Sequence, residues 1–390
     1  MINDLQEIRP VWLEINIDNL IHNLEEIKRV VNKNSSIMAV VKADAYGHGA
    51  TTIAHMLSDN GINKFAVATL SEAIELRESG IDDEILIMGY TPNSQLKYVI
   101  EYDIIQTIYN YDSAYILSNL ANNINKIAKI HIKIDTGMNR LGFKPIEKNI
   151  YEIEKINKLS GLEIQGIFSH FAKSDEKDKS FSHEQFKIFE NIIHELENRG
   201  VYIKIKHISN SGAIIDLPEY NFDIVRAGIM LYGLYPSQDV NKNIVNLKPV
   251  MSLKAKISNI KTVCEGTGVS YGQTYVTNKE TKIATIPIGY ADGFTRLLSG
   301  NHEVTINDKK APVIGRICMD QCMVDVSFID NIDIESEVTI FGYGKNITTV
   351  DDIAEKLGTI NYEVMCMMNR RIPRVYIKDK KVVKILDYLL

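Results

Sequence analysis

The chain has 390 residues, of which 45% are hydrophobic and 24% charged, so it has enough apolar surface for a core and is not a disordered protein. Its 44 basic and 50 acidic residues leave a net charge of −6, which argues against a nucleic-acid binder but leaves room for a local basic pocket. The longest apolar runs, such as Ile37–Val41, are far shorter than the roughly 20 residues of a membrane span. The first residues lack the apolar core of a secretion signal, so we expect a cytoplasmic protein.

The cysteines indicate neither a disulfide framework nor a metal centre. There are only four, and we expect them to be free thiols in a reducing compartment. Cys318 and Cys322 lie close together in the sequence, but no second ligand pair and no histidines accompany them. We therefore expect no metal site.

Up to about residue 235, short β-branched runs alternate with longer amphipathic stretches. Between the predicted strands, Ser71–Ser79 begins with a capping-box pattern and is followed by Gly80, and Ser182–Arg199 has one apolar face. Eight such units favour an α/β fold with a closed (β/α)8 barrel of the TIM type, and an open doubly wound sheet is the alternative. The eight predicted strands are Ile37–Val41, Phe65–Thr69, Ile85–Met88, Ile104–Thr107, Ile130–Ile134, Gly166–Ser169, Lys204–Ile208 and Asp223–Val225.

After about Leu247 the helical periodicity largely stops, and short alternating segments predict a mainly β domain with one helix near Val350–Leu357. The polar, proline-containing stretch 235–248 marks the boundary. We expect residues 12–240 to form the barrel, and residues 241–390 together with 1–11 to form the C-terminal β domain. Its predicted strands are Lys254–Thr262, Lys282–Pro287, His302–Ile306, Ala311–Ile314, Met323–Val326 and Glu337–Phe341.

Polar and charged side chains follow five of the predicted barrel strands, and in a parallel barrel such positions meet on one face. Lys42 comes after an apolar run, where a lysine is either a cation that reaches the surface or a desolvated amine with a lowered pKa that attacks aldehydes. The residues at the five strand ends are Lys42; Lys133 and Asp135; Ser169 and His170; Ser209, Asn210 and Ser211; and Arg226, Ala227 and Gly228.

Ser211 and Gly228 follow the last two strands, where barrels commonly bind phosphate. An amine across the barrel mouth from a phosphate site suggests pyridoxal 5′-phosphate, held by Lys42 as a Schiff base. A pyridoxal enzyme that needs a strong electron sink places a carboxylate by the ring nitrogen, which keeps that nitrogen protonated, and here the candidate residue is Arg226. Because arginine is only a donor, it would favour a short-lived carbanion that is quickly reprotonated. A strand-end arginine in a structural salt bridge is the other interpretation of this residue.

Nine motifs in order resemble those of the alanine racemase family and extend over essentially the whole chain. The resemblance implies the predicted barrel followed by a β domain, a head-to-tail homodimer with shared active sites, and interconversion of L- and D-alanine that supplies peptidoglycan. The motifs are VVKADAYGHG, HIKIDTGMNRLG, FSHFA, SNSGA, VRAGIMLYG, VSYGQTY, PIGYADGF, GRICMDQCMVD and INYEV.

The resemblance also implies the roles of individual residues. Lys42 and the partner subunit's Tyr271 are the two catalytic bases, and Lys133, at a position that is often carbamylated, braces Arg140. Arg226 contacts the ring nitrogen. The other implied residues are His170 and His207, tied to Arg226; Tyr46, Asn210, Ser211, Gly228, Ile229 and Tyr362, which bind the cofactor; Arg140, Met319 through its amide, Asp320 and Tyr271, which bind substrate; and Tyr290 and Arg316, on the path to the site.

Elementary chemistry agrees with two bases on opposite faces, because racemisation removes a proton from one face and returns one to the other. Lysine and tyrosine have ordinary pKa values near 10, so each needs a perturbing environment to act at neutral pH. Three alternatives remain. A decarboxylase of similar architecture would place a carboxylate and a cysteine where Arg226 and Tyr271 stand. A cofactor carrier would not need the second domain. A racemase of serine or of several small amino acids would keep the same residues.

Overall fold

The computed structural model describes residues 7–390. The described chain divides into two compact units. One, here called the barrel unit, comprises residues 21–45 and 50–248. The other, the β unit, comprises residues 7–20, 46–49 and 249–390. Within residues 7–390, no helix is both long and apolar enough to span a bilayer.

The barrel unit contains a closed barrel of parallel strands, which confirms the predicted (β/α)8 architecture. Most strands lie within two residues of their predicted positions. The sixth barrel strand, which ends at Phe168, begins earlier than predicted, at Leu162 rather than Gly166. The barrel strands are Ser36–Val40, Lys64–Val67, Glu84–Ile87, Ile105–Ile108, Ala128–Lys133, Leu162–Phe168, Ile205–His207 and Ile224–Ala227.

One helix precedes the barrel strands and others connect them, and one of these begins differently from the prediction. Its N-cap is Thr69, not Ser71, because the Thr69 hydroxyl accepts a hydrogen bond from the backbone of Glu72, whose carboxylate in turn accepts from the Thr69 amide. The helices are Ile17–Val30, Ala50–Ser58, Leu70–Glu78, Leu96–Glu101, Tyr111–Asn123, Glu147–Asn157, Ser180–Asn198 and Ser211–Asp216, with 3-10 turns at Asn93–Gln95, Pro218–Tyr220 and Ile229–Tyr232.

The β unit is built on a large, mainly antiparallel sheet, as the predicted mainly β domain requires. The segment predicted as one strand, Lys254–Thr262, is two, because Ile257 and Ser258 donate to the backbones of different neighbours, Ser336 and Thr285. The strands in spatial order are Asn259–Val263, Thr281–Ile286, Cys322–Asp325, Lys309–Ile314, Glu303–Ile306, Glu337–Phe341, Met251–Lys256, Val11–Asn16, Arg374–Lys378 and Lys381–Leu386.

Smaller elements complete the β unit. The predicted helix Val350–Leu357 is present, and a second helix, Asn361–Cys366, follows it. A short ladder pairs Gly268–Val269 with Tyr275–Val276 and encloses a 3-10 turn at Tyr271–Gln273. Further 3-10 turns lie at Tyr290–Asp292 and Arg296–Leu298.

Candidate active site

Lys42 follows the first barrel strand and begins a left-handed turn. Ala43, Asp44 and Ala45 have φ of 51°, 57° and 53°, in the region that non-glycine residues seldom adopt. Such strain persists only where surrounding contacts over-determine the backbone, and it is concentrated at functional sites. The turn therefore marks this strand end as a site that is held in place by its neighbours.

Glu72 supplies one of the contacts that hold the turn. Its Oε1 accepts a hydrogen bond from the Ala43 amide at 2.7 Å, and its Oε2 accepts from the amides of Ala68 and Thr69 at 2.7 and 3.1 Å. The Glu72 carboxylate thus joins the strand end that carries Lys42 to the start of the helix Leu70–Glu78. This role was not predicted, because the capping pattern of the sequence predicts only the local bonds.

A cavity of about 210 Å³ opens at these strand ends. Lys42, Lys133, Arg140 and His170 line it together with apolar groups that include Phe168. Arg140 is exposed, and no group within residues 7–390 accepts a hydrogen bond from its guanidinium. The barrel thus brings four of the predicted site residues to one space, with a cation available for an anionic ligand.

Arg226 lies buried behind this cavity. Its Nη1 donates to Nδ1 of His207 at 2.8 Å, and its Nη2 donates to Nδ1 of His170 at 3.0 Å and to the carbonyls of Ser169 and Ile208, both at 2.9 Å. Burial, and then the charge of Arg140, lower the pKa of the Arg226 guanidinium to about 9, so it stays charged at neutral pH. In the described chain Nε has no acceptor and is a donor available to a ligand.

The donor-only guanidinium fixes the protonation of the histidines around it. Because Nδ1 of His170 and of His207 must accept, each neutral imidazole carries its proton on Nε2. His207 then donates from Nε2 to Nδ1 of buried His131, at 2.9 Å. Burial and the Arg226 charge lower the pKa of His170 and His207 well below the ordinary value, and burial lowers that of His131 to about 3.

His131 is a second residue that the sequence analysis missed. Its ring needs the space left by Gly166, since a Cβ there would come within 2.6–2.7 Å of three ring atoms. The chain of hydrogen bonds from Arg226 through His207 to His131 therefore runs in one direction inside the barrel. The only sequence signal was the position of His131 on a strand that ends in Lys133.

Lys133 is an amine in an unusual setting. Its Nζ donates to the carbonyl of Ile134 at 2.9 Å and lies 5.2 Å from the centre of the Phe168 ring. No carboxylate of residues 7–390 lies within ion-pair distance of it. Burial, reinforced by the charge of Arg226, lowers the pKa of Lys133 to about 7. A large fraction of this amine is therefore unprotonated and nucleophilic at neutral pH.

Small residues follow the last two barrel strands. The Gly228 amide donates to the Ser211 hydroxyl at 3.1 Å, and Ile229 begins the next 3-10 turn. Asn210 caps the helix Ser211–Asp216, and its carboxamide oxygen accepts from the Ala213 amide and the Ser174 hydroxyl. Asn210 thus fixes the shape of this loop, whereas Ser211, Gly228 and Ile229 present small groups and backbone.

The remaining predicted residues belong to the β unit. The rings of Tyr46 and Tyr362 lie 6.1 Å apart at an angle of 54°. Tyr46 is buried, which raises the pKa of its hydroxyl. The structure therefore brings these two predicted cofactor-binding tyrosines together.

Tyr271 lies in the 3-10 turn of the short ladder and is 71% exposed. The preceding residue, Ser270, has φ of 66° and donates from its hydroxyl to the carbonyl of Arg316 at 2.6 Å. Gly272 faces the Arg316 guanidinium, which a Cβ would approach to 3.2 Å. The turn is thus fixed to the Arg316 segment while its phenol is presented to the outside.

Met319 and its neighbours form a second exposed group in the β unit. Tyr290 and Ala291 donate from their amides to the carbonyls of Cys318 and Met319, each at 3.1 Å. Asp320 accepts from Nη2 of Arg371 at 2.8 Å. In the part of the chain that the structure describes, the Met319 amide has no acceptor, so it is a donor available to a ligand.

Two family models match the chain. The model described as alanine racemase, N-terminal domain, matches residues 15–236, and that described as alanine racemase, C-terminal domain, matches residues 250–376. Among curated proteins, the chain is 51% identical to alanine racemase 1 of Clostridium acetobutylicum over 98% of this chain and 100% of the relative. It is 50% identical to alanine racemase of Clostridium tetani over the same shares of the two chains.

Solved structures give the same result. The structure of alanine racemase from Clostridium difficile 630 matches with a TM-score of 0.95 and 45% identity over 98% of this chain and 100% of that one. The structure of alanine racemase from Bacillus anthracis with bound L-Ala-P matches with a TM-score of 0.93 and 35% identity over 98% of both chains.

Proposed function

Because the chain belongs to the alanine racemase family, we propose that it interconverts L-alanine and D-alanine with pyridoxal 5′-phosphate as cofactor, and so supplies D-alanine for peptidoglycan. The observation that carries the proposal is the cavity at the barrel strand ends. There the Lys42 amine and the Arg140 guanidinium face one space, and His170 connects that space to buried Arg226.

The donor set of the barrel unit fits this cofactor. Lys42 would hold the aldehyde carbon. The strand ends that carry Ser211, Gly228 and Ile229 suit a phosphate, because a hydroxyl and a glycine backbone allow close approach. Nε of Arg226 would donate to the ring nitrogen and leave it unprotonated. When bound, the cofactor delocalises the electron pair that remains on Cα after its proton is removed.

Two residues of this chain would move the Cα proton. Lys42 holds or returns it on one face of the substrate, and the hydroxyl of Tyr271 of the partner subunit does so on the other. A single base would return the proton to the face it came from, so inversion calls for a second group. The exposure of Tyr271 on a fixed turn of the β unit supports a homodimer in which each subunit lends this residue to the other.

The substrate carboxylate would be held from two sides. Arg140 offers a guanidinium in the cavity, and Met319 of the partner subunit offers its amide, with Asp320 of the partner subunit beside it. Charge-assisted hydrogen bonds of this kind are about twice as strong as neutral ones. They orient the substrate so that its Cα proton faces one of the two bases.

Lys133 would brace Arg140 as a carbamate. The unprotonated amine forms a C–N bond with dissolved CO₂ and releases one proton, which turns a neutral amine among arginines into an anion. Protein equilibrated with ¹³C-bicarbonate should therefore show one ¹³C NMR carbamate signal that Lys133→Arg removes. The signal should grow from pH 6 to pH 8, because the pKa of Lys133 is about 7 and only the neutral amine reacts.

The matched control for this prediction is Lys129→Arg, which changes a lysine of the same strand that is paired with Asp103 at 3.1 Å. This variant should keep the carbamate signal. A wild-type spectrum without a carbamate signal at pH 8 would contradict the carbamylation of Lys133.

The activity itself is tested with purified protein loaded with pyridoxal phosphate and given L-alanine or D-alanine. Chiral chromatography should show both reactions approaching equal amounts of the two enantiomers, because enantiomers have equal free energies in water. L-Serine is the competing substrate and should react with a much lower kcat/KM. Protein that binds the cofactor but forms no D-alanine would contradict the proposed function.

A further inference from the structure

We propose that Asp292 and Arg9 are positioning residues for the substrate carboxylate: their ion pair fixes the turn against which the Met319 segment is held. The inference rests on the proposed function, in which the Met319 amide donates to that carboxylate. It adds two residues to the site that lie outside the cavity and outside the predicted set.

Asp292 is completely buried, and its charge is balanced by Arg9. Nη1 of Arg9 donates to Oδ1 at 2.5 Å and Nη2 donates to Oδ2 at 2.9 Å, in the two-pronged geometry that makes arginine–carboxylate pairs strong. Nη2 also donates to the carbonyl of Pro287 at 2.8 Å. A buried carboxylate with this many hydrogen-bond partners holds the backbone around it in one conformation.

The pair acts on the 3-10 turn Tyr290–Asp292. Oδ2 of Asp292 also accepts from the amide of Gly289, at 3.1 Å, which closes the start of the turn. Two amides of the same turn, those of Tyr290 and Ala291, donate to the carbonyls of Cys318 and Met319. The approach is so close that a Cβ on Gly289 would lie 2.3 Å from the Met319 carbonyl oxygen.

A second connection reaches the same segment. Nε of Arg371 lies 3.7 Å from Oδ1 of Asp292, and its Nη2 donates to Asp320 at 2.8 Å. The charges alternate from Arg9 through Asp292 and Arg371 to Asp320. Both sides of Met319 are thereby tied to Asp292, one through backbone hydrogen bonds and the other through this ion pair.

Loss of the Asp292 charge would therefore loosen the Met319 amide without removing any group that moves a proton. A carboxylate contact is made equally in the ground state and the transition state, so weakening it raises KM more than it lowers kcat. A purely structural role would instead lower the amount of active enzyme and leave KM unchanged.

The test is Asp292→Asn in the cofactor-loaded enzyme, which keeps the shape and removes the charge. KM for both enantiomers should rise about tenfold while kcat changes by less than about threefold, as expected for one weakened hydrogen bond to a charged group. The inhibition constant of propanoate, which has the carboxylate of alanine without its amine, should rise by a similar factor.

The matched control is Glu14→Gln, which breaks another ion pair of the β unit, between Glu14 and Lys254 at 2.9 Å. Its KM should equal that of the wild type. If Asp292→Asn does not fold, Arg9→Gln changes the more exposed member of the pair and should raise KM in the same direction.

Unchanged KM and propanoate inhibition in the folded variants, or equal changes in the Glu14→Gln control, would overturn the inference and leave the proposed function standing. A wild-type enzyme that forms no D-alanine would overturn both.

Discussion

Replacing Lys42 by alanine should lower kcat/KM for alanine racemisation by at least about 10⁴-fold, the upper end of what one proton-transfer group contributes. The loss is expected to be this large because the proposal gives the Lys42 amine two tasks, holding the cofactor and moving the Cα proton. The chiral assay measures the loss of activity, and the visible absorbance of the isolated protein measures the loss of covalently held cofactor.

Two further variants test whether the loss of activity is specific to the Lys42 amine. Lys42→Arg keeps a cation at the strand end but cannot hold the aldehyde carbon, so it should be as inactive as Lys42→Ala. Lys129→Ala removes a partly exposed lysine of another barrel strand and should leave activity and absorbance unchanged. Visible absorbance retained by Lys42→Ala would remove Lys42 from its assigned role.

Replacing Tyr271 by phenylalanine should lower kcat in both directions by about 10²- to 10⁴-fold while cofactor binding and folding stay normal. Only the hydroxyl is lost, and within residues 7–390 this hydroxyl makes no hydrogen bond that its loss would break. Because the proposed reaction needs one base on each face, neither direction should be spared. Chiral assays started from each enantiomer measure both rates, and thermal unfolding measures the stability.

Tyr275→Phe is the control for this variant. Tyr275 belongs to the same ladder but packs against a cluster of buried side chains around Val269, Ile283 and Ile314. It should be fully active. Near-normal turnover of Tyr271→Phe in both directions would overturn the two-base assignment.

Mixing the two inactive proteins tests whether the sites are shared. In a heterodimer of Lys42→Ala and Tyr271→Phe subunits, one site carries both changes and the other carries none. Each heterodimer should therefore regain half of the wild-type activity, which no mixture of self-contained sites can do. Verified heterodimers without activity would argue against a shared site.

The strand ends were predictable because the sequence shows them directly. A parallel strand buried on both faces is a short apolar run, and the residue that ends the run marks the mouth of the barrel. Lys42, Lys133, His170 and Arg226 each follow such a run, and the structure places all four around one cavity or one hydrogen bond from it. The neighbours of a strand in the β unit were not predictable in this way. Nothing in the sequence of Val11–Asn16 indicates that it lies between the strands Met251–Lys256 and Arg374–Lys378.

By itself, the sequence determined the α/β class, the barrel and the residue types at its mouth, since periodicity and strand-end chemistry are local. Only the tertiary structure decided which distant groups hold the residues of the candidate site in place. Glu72 closes the turn after Lys42, His131 extends the hydrogen bonds of Arg226, and Arg9 balances Asp292. These contacts join residues far apart in the chain, which only folding brings together. For Asp292, which is completely buried, an unpaired charge would be costly, so burial selects its partner in three dimensions.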